Sequence, residues 1–214
     1  MIFFCFPLAH LTTDVNRKID IDIFIDSSFS TPFIQFQKIK LFIKAVMNHL
    51  TIESTSAIEV FVPLFLKTNF DSLDLQVSMS TIGGRRTGSL NSNILGTTID
   101  SIVDNSIYFG GPENVTNAFD RIAHSGVKVR LGSFPVSILI SASSEINDEK
   151  EIAPQLEYLK GINRRMLVVL INVDKNSTFT KILSRYSIAS IDVRHCDSLF
   201  MHAYKVIDFL NKIS

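Results

Sequence analysis

Apolar residues along this chain gather in short, nearly continuous runs separated by longer stretches in which they recur at helical spacing. That alternation is the pattern of strands buried on both faces and joined by amphipathic helices. Ile19 to Ile25 (IDIDIFI) alternates Asp with apolar residues before turning solidly apolar, as a strand entering a buried parallel sheet does. It ends in the polar stretch Asp26-Ser27-Ser28-Phe29-Ser30, and Pro32 suits a first helical turn. Phe33, Ile34, Phe36, Ile39, Phe42, Ile43, Val46, Met47 and Leu50 then recur on one stripe, predicting a helix with Lys38, Lys40 and Lys44 in solvent.

The stretch from Thr51 to Asp71 is hard to read, because Pro63 demotes the strand-like Ile58 to Leu66 to an edge or irregular segment. Leu73 to Ile82 alternates as a strand and meets Gly83-Gly84, and Thr87 to Leu90 suits a further edge strand. Helices are expected over Ser92 to Val103 and Pro112 to His124, with a turn at Tyr108 to Gly111 between them and Gly126 placed to stop the second. Pro135 to Ile140 and Met166 to Val173 read as buried strands, and Ile188 to Val193 as the final one. Glu149 to Lys160, closing at Gly161, reads as a helix, as do Phe179 to Tyr186 and Asp197 to Ile213. Strands alternating with helices of this size imply βαβ crossovers. The expected fold is α/β: three layers, doubly wound, with a mostly parallel central sheet flanked by helices.

Length and composition narrow the picture without changing it. A chain of 214 residues, 46% apolar with 17 Phe and no Trp, suits one sizeable core better than two small ones. The expected division is an N-terminal arm or remnant of a leader over 1–17 and a single domain over 18–214. Lys plus Arg equals Asp plus Glu at 21 each, so the chain lacks the basic excess that nucleic-acid binding requires. No apolar run reaches the ~20 residues of a membrane span. Met1 to His10 (MIFFCFPLAH) is apolar enough for the core of a secretory signal but has no basic n-region. Cys5 and Cys196 suit two unpaired thiols, or one bridge if the arm lies against the start of the last helix.

In an open parallel sheet, ligands sit at the carboxyl ends of strands near the point where strand order reverses. The loop leaving the first strand occupies such a place, and its spacing puts Asp26, Ser28 and Ser30 on one rim. A carboxylate and two hydroxyls are hard oxygen ligands suited to Mg²⁺, while the same residue types also serve as plain turn and helix-cap residues. No G-x-S-x-G, phosphate-loop or Rossmann glycine pattern is present, and the five histidines show no metal spacing. His195 and Cys196 are adjacent, which on a strand points them to opposite sides and is wrong for a nucleophile and its base. The chain is therefore expected not to be an enzyme. Asn114-Val115-Thr116 and Asn176-Ser177-Thr178 are glycosylation sequons on predicted loops or helix starts.

An apolar strand, then D-x-S-x-S, then an amphipathic helix resembles the adhesion-site start of a von Willebrand factor A (VWA) domain. Leu90 to Gly111 is similar to that family's segment leading to a double-glycine turn, and Ala118-Phe119 to the helix after it. The later PVSILI, helix and MLVVLINV resemble its fourth strand, helix and fifth strand, so the likeness runs from Lys18 to Ile213. It implies a flavodoxin-like sheet and a metal-ion-dependent adhesion site built from Asp26, Ser28 and Ser30. The family's complete site adds a Thr after the double glycine and an Asp at the end of the fourth strand. Here Glu113 and Thr116 are the oxygen donors near the first slot, and Ser141-Ala142-Ser143 stands at the second, with Glu145 and Asp148 a few residues on. Because cation affinity follows ligand charge, Mg²⁺ or Mn²⁺ is expected to bind weakly or not at all. The expected function is recognition of a protein or extracellular-matrix partner at this rim, outside the cell. An intracellular scaffold that docks proteins without metal is the alternative.

Overall fold

The computed structural model describes residues 18–51, 74–83, 86–92, 103–104, 106–110, 115–124, 131–142, 146 and 149–213. Among the described residues six strands form one sheet: β1 Lys18–Asp26, β2 Asp74–Gly83, β3 Arg86–Ser92, β4 Ser133–Ser141, β5 Arg165–Ile171 and β6 Ala189–Val193. Their order across the sheet is β3-β2-β1-β4-β5-β6. β2 and β3 pair antiparallel with Gly83 opposite Arg86, and every other pairing is parallel. The expected α/β, mostly parallel, doubly wound sheet is the one observed. The strand order reverses between β1 and β4, which makes their carboxyl ends the switch point.

Helices α1 Phe33–Thr51, α2 Val115–His124, α3 Ala153–Gly161, α4 Thr178–Arg185 and α5 Ala203–Ile213 cover the two faces. The period-two alternation of β1 decides which side chains meet which layer. Ile19, Ile21, Ile23 and Ile25 join the core under α1 and α5, packing with Phe36, Ile39, Phe42, Val206 and Leu210. Phe24 points the other way, into a second core with Phe119, Ile122, Leu156, Leu159, Phe179 and Leu183 from α2, α3 and α4. Phe119 and Phe179 meet there edge to face with centroids 5.9 Å apart.

Several expectations need correction. The helix expected from Glu149 begins as a 3-10 turn over Glu149–Glu151, and α3 starts only at Ala153, where Pro154 fits a first helical turn. The helix expected from Asp197 is likewise a 3-10 segment, Cys196–His202, before α5. His195 and Cys196 therefore lie where that segment begins and not on a strand. Gly161 is still helical, and Asn163 (φ 53°) is the left-handed residue that ends α3. The amide of Asn163 reaches the Lys160 carbonyl and that of Arg164 the Leu159 carbonyl, the paired bonds of a Schellman cap. Ser187 (φ 56°) ends α4 the same way, with Ile188 N–H on the Leu183 carbonyl. Lys40, expected in solvent, is buried: its Nζ donates to the carbonyls of Asp104 (2.9 Å) and Ser106 (3.5 Å). Burial pushes its pKa down against the pull of Asp104. The strand-like stretch at 58–66, nearly all of the helix expected over 92–103, and Gly126 lie outside the described residues.

Candidate binding rim at the end of the first strand

β1 carries carboxylates at positions 20, 22 and 26 on the same face as Phe24, and the structure treats the last two differently. Asp22 and Arg164 form an ion pair at 2.8 Å, with side chains only 3% and 4% exposed. The guanidinium also donates to Ser137 Oγ (3.2 Å), on the residue facing Asp22 across the β1–β4 ladder, and to the carbonyl of Ile122 (3.5 Å). The Schellman cap of α3 sets this up: once Asn163 reverses the chain, Arg164 is turned inward beneath α2. The sequence places Arg164 merely beyond a helix end. Its role has no local signal, since its partner lies 142 positions away.

Asp26, the last residue of β1, is 8% exposed and sits at the switch point. Its Oδ1 accepts the Ser28 amide at 2.9 Å, an Asx-type turn that bends the chain off the strand. Its Oδ2 accepts the hydroxyls of Ser30 (3.2 Å) and Ser141 (2.9 Å). The Ser28 and Ser30 hydroxyl oxygens lie 2.6 Å apart. The turn closes with the Thr31 amide on the Ser28 carbonyl, just before α1. Asp26, Ser28 and Ser30 thus do converge, as their spacing predicts. Ser141 joins them from the end of β4, the position noted for its missing carboxylate, so a hydroxyl there contacts Asp26 directly.

Of the other expected rim residues, the structure describes Thr116. Thr116 sits half-buried in the first turn of α2, and the hydrogen bonds of Asp26, Ser28 and Ser30 do not include it. Glu113, Asn114, Glu145, Asp148 and Cys5 lie outside the described residues. Asn176 is exposed on a turn where its amide donates to Asp174 Oδ1, and Ser177 caps α4 through the Thr180 amide. Cys196 is buried with its Sγ 3.8 Å from the Gln35 carbonyl. Burial pushes that thiol's pKa up, with Lys38 pulling it down and Asp197 raising it further.

Beside the hydroxyl cluster lies an apolar collar that the sequence reading missed. Phe29, between the two serines, is 73% exposed, and Phe33 and Ile107 are 55% and 57% exposed. Tyr108 links them: its ring meets Phe33 edge-on at 5.5 Å and Phe36 at 5.4 Å, and its hydroxyl donates to the Ser28 carbonyl at 3.4 Å. Gly110 has φ +59°, a left-handed conformation that glycine adopts freely, and its backbone lies against the Phe29 and Tyr108 rings. Lys40 fastens this segment by holding the carbonyls of Asp104 and Ser106. Two bulky aromatics flanking a polar turn were the signal available in the sequence.

As a metal centre the cluster is thin. It offers one carboxylate and three hydroxyls, and among the described residues no group of three or more His, Cys, Asp or Glu side chains comes together. The carboxylate already accepts three hydrogen bonds. Among the described residues the cluster thus brings a single formal negative charge, and affinity for a divalent ion rises with the number of charged ligands.

No protein-family model matches the chain, and no curated protein does. Solved structures match well. Proximal thread matrix protein 1 from the mussel byssus superposes with TM-score 0.63 at 15% identity, over 90% of this chain and 46% of that one. A second structure of that protein has a zinc-occupied metal-ion-dependent adhesion site. The pilus adhesin SpaC from Lactobacillus rhamnosus GG gives 0.66 at 10% identity over 94% of this chain and 31% of the adhesin. The SpRpn10 VWA domain gives 0.57 at 14% identity over 85% and 93%. This chain spans less than half of the byssus protein and of the adhesin. With the doubly wound sheet and the loop at its switch point, these likenesses establish that the chain has the von Willebrand factor A fold.

Proposed function

We propose that this chain is a non-catalytic, adhesion-type binding module that recognises a protein or extracellular-matrix partner at the rim around Asp26. One observation carries the reading: a polar cluster of Asp26, Ser28, Ser30 and Ser141 at the sheet's switch point lies beside exposed Phe29, Phe33 and Ile107. Large apolar side chains held in solvent next to a buried polar centre have the composition of a protein-docking surface. Among the described residues the rim hydroxyls pair with a carboxylate and with one another, without the imidazole base that serine chemistry uses. The thread matrix protein and pilus adhesin among the structural neighbours, and the exposed Asn176 of an Asn-Ser-Thr sequon, support an extracellular setting.

Binding does not depend on a firmly held cation. Titration with Mg²⁺ or Mn²⁺ in a calorimeter should give no saturable heat below about 1 mM, the range left to sites with few charged ligands. Saturable heat at micromolar cation that vanishes in Asp26→Ala would overturn this. The rim itself is tested by placing a photo-crosslinking benzophenone side chain at Phe29 and irradiating in an extract of the source cells. Adducts should form there, competed by excess native domain and not by an Asp26→Ala, Phe29→Ser variant. The control position is Leu131, 97% exposed just before β4 at the opposite end of the sheet. Equal adducts from both positions, or equal competition by the variant, would remove the reading.

A further inference from the structure

We propose that the group received at the rim is a lysine or arginine side chain of the protein partner, flanked by apolar residues. This rests on the rim being a protein-binding surface and goes on to name what it binds. Within β1 two buried carboxylates are treated differently. Asp22 and Asp26 lie on the same face of the strand and are both almost wholly buried. Asp22 is neutralised from within the chain by Arg164. Among the described residues, Asp26 has no Lys, Arg or His in hydrogen-bond or ion-pair contact; its donors are an amide and two hydroxyls, all neutral. Neutral donors lower the cost of burying a carboxylate and leave its charge uncancelled.

Hydrogen-bond polarity points to the same kind of group. Ser30 commits its proton to Asp26, so the 2.6 Å contact between the serine hydroxyls is made by the Ser28 proton. Ser141 likewise commits its proton to Asp26. The remaining capacity of the Ser28 and Ser30 hydroxyls is lone pairs, and behind them stands the Asp26 carboxylate. Such a surface repels an acidic side chain, which is acceptor-only, and suits an ammonium or guanidinium, which is donor-only. The apolar collar suits such a side chain as well. The aliphatic stems of Lys and Arg lie along apolar surface while the charged head seeks a polar site, and aromatic faces attract the cation. Phe29 and Phe33, exposed beside the cluster, meet both needs.

The test is selection of a displayed random-peptide library on the intact chain in EDTA. Enriched peptides should carry Lys or Arg beside aromatic or aliphatic residues. Their affinity should fall about tenfold or more in Asp26→Asn, which keeps an acceptor for the Ser28 amide, and in Phe29→Ser, and should not respond to Mg²⁺. Circular dichroism of both variants checks that each is folded, and the Phe29 variant leaves the buried cluster untouched. Enrichment of Asp- or Glu-bearing peptides that need Mg²⁺ would overturn this inference and leave the rim a binding surface. Peptides that bind both variants as well as the native chain, or no enrichment at all, would overturn the inference and the rim reading together.

Discussion

Arg164→Met is expected to destabilise the domain by about 3–5 kcal/mol, the cost of leaving one member of a buried ion pair without the other. The guanidinium reaches the Asp22 carboxylate at 2.8 Å, Ser137 Oγ at 3.2 Å and the Ile122 carbonyl at 3.5 Å, so it ties β1, β4 and α2 in one place. With both side chains under 5% exposed, water has little access to replace it. Methionine keeps the stem's apolar packing, so the loss reports the charge more than a cavity. Urea denaturation followed by circular dichroism measures the difference. The double variant Asp22→Leu, Arg164→Met should recover much of the loss, because removing both charges also removes the burden of burying them. A single variant within about 1 kcal/mol of the native chain would show that the pair does not fasten β1, β4 and α2.

Ser141→Asp is expected to make the stability of the domain depend on Mg²⁺. The Ser141 hydroxyl donates to Asp26 Oδ2 at 2.9 Å and is 2% exposed, so the substitution exchanges a hydrogen bond for two carboxylates facing each other in a confined site. In EDTA the lost bond and the like-charge contact should cost about 1–3 kcal/mol. The second formal charge also raises cation affinity, and a ligand present at about 100 times its Kd adds about 2.7 kcal/mol to the folded state. Thermal unfolding of the variant should therefore occur below the native Tm in EDTA and rise markedly in millimolar Mg²⁺. The native domain should show almost no change between the two buffers. A variant indifferent to Mg²⁺ would mean that the four rim oxygens cannot close around an ion at all.

How far these features are readable in the sequence depends on how local they are. PVSILI and MLVVLINV announce β4 and β5 because a strand covered on both faces must be apolar throughout. The stripe from Phe33 to Leu50 announces α1 for the same reason at helical period. Asp26, Ser28 and Ser30 are readable as a rim because a turn of so few residues leaves their side chains little choice. Lys40 misleads, since an alkylammonium on a helix is normally in water, and the two carbonyls that hold it belong to a segment over sixty positions away. The 3-10 opening before α5 is hidden because its apolar spacing also suits an α-helix, and the one before α3 because Glu149, Lys150 and Glu151 are all good helix formers. IDIDIFI reads as a strand gaining burial along its length, yet Asp22 lies at its centre fully enclosed, because a partner from far along the chain arrives to neutralise it.

That partner's lateness carries a kinetic consequence. The central strand is made first, and the arginine its carboxylate requires follows 142 residues later. Until β4 and the turn after α3 have docked, β1 can enter a closed core only with a bare charge, so early collapse around it is held back. Pairings of such long sequence separation slow the search for the native state. Nascent chains released before Arg164 should stay open to proteases and chaperones, and maturation of the whole domain should proceed in one concerted step near the end of synthesis.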